Sequence, residues 1–246
     1  MTNFDRKTLI EQFFQIKAPF ASFRPFQSGA YRSTTPIPSP STVYGLLLNI
    51  AGIEQRSDVT TPVTSMREDL PEIEIAIAQI SQPETALLTQ QLHHYPVGAS
   101  GAELAQKTYG SKYWIAPVKR EVLVNLNLVI GMKAEQWLCD RILQGLNGEL
   151  DEPRYGLPFA GDNNFLFDSI ESIDSPPMAR WYSPLQQGNH SPERGYCRLT
   201  VWINRADNSK TEIAVFAPSS FCLHPPESAW IKLPVSNMGD RLGLNP

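Results

Sequence analysis

The sequence predicts an α+β protein in which two amphipathic helices are set among half-buried strands, in the order β-α-β-β-α-β. Three observations carry this prediction. Apolar residues recur at every second position over residues 72–77 and 121–130, the period of a strand with one buried face. Two stretches, 40–51 and 134–147, instead show helical spacing and are flanked by capping residues. Proline is abundant, 21 of 246 residues, against a usual share of about 5%, which argues for strands and loops rather than a helical bundle. The length suits one good core plus an extension.

Each element follows from local pattern. Residues 8–17 (TLIEQFFQIK) read as the first strand, and a Pro/Ser/Thr loop follows from Pro19 to Pro40. Ser39 as N-cap and Pro40 at the first helical position open a helix, STVYGLLLNIAG, that Gly52 closes. Ile73, Ile75 and Ile77 share one face of the next strand, with 84–94 expected as its hairpin partner. Residues 95–117 have no convincing period, and an insertion of that length is more often functional or disordered than merely connecting. In 121–130, Val122, Val124, Leu126, Leu128 and Ile130 line one face while Glu121, Asn125 and Asn127 point away. The helix 134–147 carries a stripe of Leu138, Ile142 and Leu146 and ends at Gly148. After a turn-rich stretch, 151–164, NFLFDSIESI is expected as the fourth core strand. This is the ferredoxin-like order with an insertion between the second and third core strands. Beyond residue 172 the pattern is all-β, alternating around Cys197, Leu199, Val201 and Ile203, then around Ile213 and Val215.

Charge is unevenly spread. The net charge is −4, yet residues 12–53 contain no acid and carry +3, and residues 104–120 carry +4, which leaves −11 on the rest. Two basic stretches on an acidic chain point toward a polyanionic partner. Searches for catalytic chemistry return little. The phosphate-loop and dinucleotide glycine motifs, HExxH and GxSxG are all missing from the sequence. Cys139, Cys197 and Cys222 are too few and too widely spaced for a disulfide framework or a zinc site, and read as small buried hydrophobes. Asp162 and Asp168 lack a second acid pair at metal spacing, so no metal and no cofactor is expected. His190 and His224 read as solvated loop residues. His93 and His94, beside Tyr95, could act as acid or base on a ribose hydroxyl with Lys107 or Lys112 near the phosphate. Neighbours on a strand face opposite ways, so a polar strand end is the simpler reading. No apolar run approaches the roughly 18 residues of a membrane helix, and residues 1–15 lack a signal-peptide core. The expectation is a cytoplasmic protein without a membrane partner.

A binding constellation remains. Lys17, Arg24 and Arg32 alternate with Phe20, Phe23, Phe26 and Tyr31 amid hydroxyls at Ser22, Ser33, Thr34, Thr35, Ser39, Ser41 and Thr42. Cationic side chains hold phosphates, aromatics stack unpaired bases, and helix-start amides complete a phosphate shell. Single-stranded RNA crossing the start of the first helix fits this pattern; the competing reading puts the phenylalanines in the core. A second cluster, Lys107, Tyr109, Lys112, Tyr113, Trp114, Lys119 and Arg120, belongs to the insertion and suits a partner that is either RNA or protein.

These residues resemble a known family. ASFRPFQSGAYRSTTPIPSPSTVYGLLLNIAGI is similar to the N-terminal signature of the CRISPR-associated Cas-five family of the RAMP superfamily, met by Arg32, Thr34, Thr35, Pro38, Ser41, Gly45 with Leu46 and Leu47, and Gly52. RYGLPFAGDNNFLFD (154–168) resembles the family's glycine-rich loop and looks closest to an I-B-like branch. The resemblance covers roughly residues 8–170. It implies a ferredoxin-like (RRM-like) RAMP palm over 1–171, an inserted thumb at about 82–118, and a C-terminal β-rich extension, 172–246. It further implies a non-catalytic subunit of a type I Cascade that holds the crRNA 5′ handle, caps the Cas-seven backbone and touches the large subunit near the PAM of the target DNA. Such a complex serves antiviral defence or guided transposition.

On this resemblance Lys17, Arg24, Arg32, Thr34, Thr35, Ser39, Ser41 and Tyr44 line the handle, and Tyr155, Gly156, Gly161 and Asn163 let the backbone approach RNA. Lys107, Tyr109, Lys112, Tyr113, Trp114, Lys119 and Arg120 become thumb contacts to crRNA and target backbone. One branch, I-C, is itself a metal-independent endoribonuclease that processes pre-crRNA. His93, His94, Tyr95 and Tyr109 are the candidates for that alternative, and they do not align to its triad.

Overall fold

The computed structural model describes residues 9–25, 31–58, 60, 65–94, 114–185, 195–205 and 207–234, with backbone alone at 92–94, 114–116 and 208. Along the chain run β1 (Ile10–Ala21), β2 (Tyr31–Arg32), α1 (Pro40–Ile50), β3 (Ile73–Gln79), β4 (Glu84–His94) and β5 (Trp114–Ala134). These are followed by α2 (Gln136–Asn147), β6 (Ser169–Ile173), β7 (Ala179–Pro184), β8 (Cys197–Trp202), β9 (Glu212–Cys222) and β10 (Ile231–Leu233).

The α+β expectation holds. One mostly antiparallel sheet has the order β6-β1-β5-β3-β7-β9-β8. Its first four strands therefore lie in the order fourth, first, third and second of the β-α-β-β-α-β series. The strands after residue 173 extend the same sheet, because β7 and β10 pair end to end along the free edge of β3. The sheet is buried on both faces. Phe14, Ile16, Leu126, Leu128 and Ile130 meet α1 and α2 in the main core, while Phe13, Val129 and Trp181 pack with Ala229 and Trp230 on the other side. No helix among the described residues is long and apolar enough to cross a membrane.

The helices form as their caps require. Ser39 accepts a bond from the Thr42 amide at 3.3 Å, Pro40 starts α1, and Gly52 follows its end with φ +69°. Gly148 ends α2 with φ 75°, in the left-handed region that glycine enters without steric cost. The α2 stripe of Leu138 and Ile142 is fully buried. Gly145 lies where α2 crosses α1, and a Cβ there would run into the Ile50 carbonyl oxygen.

Several sequence expectations are corrected. Residues 84–94 do form a strand, but β4 pairs with β5 rather than β3. The 21-residue β5 is long enough to hold β3 along 128–133 and β4 along 114–124, one after the other. The even-numbered apolar face of β5 breaks at Asn125, which has φ 57°. Beyond it Leu123 joins the main core, and Val122 and Val124 do not. Opposite Asn125 in the β1–β5 register stands Pro19, which has no N–H for the ladder, and β1 changes face at the same level: Ile16 and Ala18 are core before it, Ala21 after it. β1 therefore runs through the expected loop start at Pro19. The fourth core strand is shortened to 169–173, because Phe159 and Leu166 bridge to each other in a local turn instead. Ile203 lies past β8, and Ile213 and Val215 are exposed, since β9 turns Ala214 and Phe216 inward.

Gly145→Ala tests the helix crossing. An exposed helical glycine gains stability when replaced by alanine, whereas here the added methyl is expected to cost about 1–3 kcal/mol by overpacking. A chemical denaturation midpoint that rises would overturn this geometry.

Candidate nucleic-acid interface

The turn between β1 and α1 is stitched in place by its own hydroxyls. Thr34 Oγ1 accepts the Phe23 amide at 2.9 Å, and Thr35 Oγ1 donates to the Ile37 carbonyl at 2.7 Å. The Glu121 carboxylate of β5 accepts the Thr34 amide at 2.9 Å and the Tyr31 hydroxyl at 3.4 Å. The glycine-rich loop is tied to the same place: the Ser22 amide donates to Ala160 O at 3.0 Å. Gly161 has φ +80°, and a Cβ on it would strike the Ser22 carbonyl.

This stitching gathers three arginines around one carboxylate. Asp162, nearly buried, accepts from the buried Arg120 and, at 3.4 Å, from the half-exposed Arg24. Its second oxygen accepts the Asn164 amide at 3.0 Å. Burial pushes the Asp162 carboxyl up, but the bonds from the Asn164 amide and Arg120 outweigh burial and hold it below the usual carboxylate range. Arg32 feels the same group: burial, then repulsion from Arg24 and Arg120, lowers its pKa, and Asp162 raises it only in part. Arg120 also donates to Gln90 of β4 at 3.2 Å and lies over the Phe165 ring at 5.8 Å.

Arg24 extends from this group into a hollow of about 280 Å³ at the start of α1, lined also by Ser39, Thr42, Phe159, Arg198 and Thr200. One carboxylate shared among Arg24, Arg32 and Arg120 leaves positive charge in excess. The amide end of α1 adds to it. On the other side of Phe23, Thr42 and Phe159 lies a mainly apolar cavity of about 400 Å³ between α1 and residues 155–159.

The predicted site residues divide accordingly. Arg24 and Ser39 line the hollow and Arg32 lies near Arg24, with Tyr155, Gly156 and Asn163 exposed on the neighbouring loop. Ser41 instead donates to Thr200 O at 3.1 Å and pins α1 to β8. Thr34 and Thr35 are occupied with backbone. Tyr44 does not reach the surface: it is fully buried, donates to Pro71 O at 2.9 Å and packs edge-on to Trp202. Gly161 accommodates the Ser22 carbonyl and also lines the hollow. Lys17, by strand alternation with Phe13 and Gln15, sits on the sheet face opposite α1. Arg120 is 2% exposed and is an internal counter-ion rather than a surface contact.

Lys119 is exposed on β5, Trp114 is its first residue, and Lys107, Tyr109, Lys112 and Tyr113 lie outside the described residues. His93 and His94 pair with Ile115 and Trp114 at the far end of the β4–β5 ladder. That is about 16 Å along the strand from the level of Arg120. Tyr95 falls outside the described residues. Arg198 was missed by the sequence reading; its one signal is the outward position in the alternation of β8, between buried Cys197 and Leu199. Among the described residues, no cluster of His, Cys, Asp and Glu could hold a metal ion.

Fold and site together define a sheet protein of the α+β class with a basic, hydroxyl-lined hollow at a helix start, a surface suited to phosphate groups. The chain belongs to the CRISPR-associated Cas5 family, described as CRISPR-associated protein (Cas_Cas5), whose sequence model matches residues 13–146. Among solved structures, a chain described as a CRISPR RNA-guided surveillance complex is similar in fold, with TM-score 0.52 and 11% identity over 89% of this chain and 96% of that one. A Cas protein crystal structure aligns with TM-score 0.46 and 14% identity over 89% of this chain and 97% of its own. No curated protein matches the sequence.

Asp162→Asn tests the ion-pair centre. It leaves Arg120 buried without its charge partner, and the expected cost is about 3–5 kcal/mol at neutral pH. Because the folded-state carboxyl is held below 3.8, the stability it contributes is present above that value and is lost as pH falls through the lowered pKa. The gap between wild type and variant should therefore narrow only in strong acid. A gap that closes already at pH 5 in denaturant titrations would contradict the assignment.

Proposed function

We propose that this chain is the subunit of a type I Cascade that holds the 5′ handle of the crRNA. The carrying observation is the excess of positive charge where Arg24 and Arg198 line the hollow at the start of α1, with Arg32 near Arg24; Arg24, Arg32 and the helix start lie inside the region that matches the family. Arginine forks match phosphate oxygens, and the Ser39 and Thr42 hydroxyls with the α1 amides can complete the shell. The fold likeness to a chain of a CRISPR RNA-guided surveillance complex supports the setting.

In this reading residues 1–171 are a ferredoxin-like RAMP palm, 82–118 a thumb and 172–246 an extension. The chain caps the Cas-seven backbone and meets the large subunit near the PAM, where base pairing reads the target and protein supplies phosphate contacts. The GDN of the glycine-rich loop, Gly161-Asp162-Asn163, supports an I-B-like branch.

The role is binding rather than cutting. The hollow presents guanidinium groups and hydroxyls, and a guanidinium cannot give up its proton to serve as a general base near neutral pH.

The test mixes full-length protein with labelled repeat-derived RNA in EDTA over a range of salt. Retarded, intact RNA is expected. Arg24→Ala, Arg32→Ala and Arg198→Ala should each weaken binding and reduce the slope of log affinity against log salt by about 0.7. Unchanged slopes in all three would sink the site, and shortened RNA would favour the endoribonuclease instead.

A further inference from the structure

Glu121 places a negative charge beside the arginines that would meet a polyanion. It follows Arg120 on β5 and is half-buried. Its strand is held at this level from two sides: Glu121 pairs with Leu87 of β4, and its backbone carbonyl accepts the Ser22 hydroxyl at 3.3 Å. The carboxylate is therefore presented from a ladder rather than from a loop. Among the described residues its oxygens accept the Thr34 amide at 2.9 Å and the Tyr31 hydroxyl at 3.4 Å, not a guanidinium. Thr34 carries the link onward, because its Oγ1 accepts the amide of Phe23, the residue before Arg24, at 2.9 Å. Charge balance is supplied instead by Asp162, which pairs with Arg120 and Arg24.

We infer that Glu121 is a positioning residue for phosphate binding, an acid that strengthens the hold on a polyanion by fixing the turn that carries Arg32 and Arg24. The inference rests on the RNA-binding reading above and adds to it a group that acts through Thr34 and Tyr31. β2 consists of Tyr31 and Arg32 alone, paired in parallel with Lys119 and Arg120. So short a ladder leaves the shape of the turn to its side-chain bonds. Successive residues of a strand point to opposite faces. Holding Tyr31 and the Thr34 amide on Glu121 therefore turns Arg32 the other way, toward Arg24, Arg120 and Asp162, the charges it senses. An arginine oriented before the ligand arrives gives up less freedom on binding. By charge alone, Glu121 opposes binding, because a carboxylate repels phosphate. Position and charge thus act with opposite signs, and substitutions can separate them.

The experiment titrates full-length protein with the labelled repeat-derived RNA at one salt concentration. Glu121→Ala removes the charge and both bonds, and is expected to weaken binding about five-fold. Glu121→Gln removes the charge but keeps an amide oxygen for the Thr34 N–H and an amide N–H for the Tyr31 oxygen. It should bind at least as tightly as wild type. Amide hydrogen exchange at Thr34 reports the turn directly, and is expected to be slow in wild type and Glu121→Gln and fast in Glu121→Ala. If Glu121→Ala does not fold, Tyr31→Phe, at a half-exposed position, deletes one bond and leaves the charge, with an expected loss of about two-fold. Glu121→Ala binding as tightly as wild type or tighter would overturn the inference while RNA binding stands. So would Glu121→Gln falling as far as Glu121→Ala, or, in the absence of a folded Glu121→Ala, Tyr31→Phe matching wild type. If wild type binds no RNA, the RNA-binding reading falls and takes the inference with it.

Discussion

Arg120 and Asp162 are the only charged residues buried among those described, and much of the molecule is organised around their contact. Two buried ions repay their desolvation only when geometry is good and the remaining polar atoms are bonded. Here β5 supplies the arginine, the glycine-rich loop the carboxylate, β4 a second acceptor through Gln90, and Asn164 the amide that holds Asp162 ionised. The pair thus fixes β4, β5 and the glycine-rich loop relative to one another. It also determines what is left outside. Asp162 is shared with Arg24 and only partly offsets Arg32, so the surplus positive charge falls at the start of α1 rather than being neutralised in the interior.

A second constraint is the length of β5, which serves as a common rail for β1, β2, β3 and β4. A strand of this length cannot keep one face buried throughout, because the molecule it passes through changes from core to projecting arm. Pro19 and Asn125 face each other where that change occurs. One lacks a ladder donor and the other adopts φ 57°, and the two strands turn over together. The turnover brings Ala21 and Phe23 onto the core side, and so sets where Arg24 emerges.

The family match and the fold likeness concern the same scaffold, and the site lies where the scaffold's first helix starts. Binding of a phosphate chain there requires no metal-ligand set and no titrating base, only fixed donors. The hydroxyls support this indirectly: Thr34, Thr35 and Ser41 spend their bonds on backbone, which holds the arginine-bearing turn in one shape and reduces the ordering cost of binding.

The elements whose signal is local were legible in the sequence. Ser39-Pro40 and Gly52 bracket α1, Leu138 and Ile142 mark the buried stripe of α2, and Ile73, Ile75 and Ile77 face the core as alternation requires. The proximity of Arg24 to Ser39 and to Arg32 was legible for the same reason, since those residues are close in the chain. What misled the sequence reading was chemistry read without burial. Tyr44 and Arg120 carry the groups an RNA contact would use, but one is sealed in the core and the other is held by Asp162, a partner 42 residues away. Arg198 carried no local cluster and reaches the hollow only because β8 is placed beside α1, where Ser41 bonds to Thr200 O. The sequence by itself determined the elements, their caps and the basic turn, because these depend on neighbours a few residues apart. Tertiary structure alone decided which strand β4 pairs with, where the sheet turns over and which arginines remain free to meet an anion, because strand pairing and charge neutralisation depend on distant residues brought together by the fold.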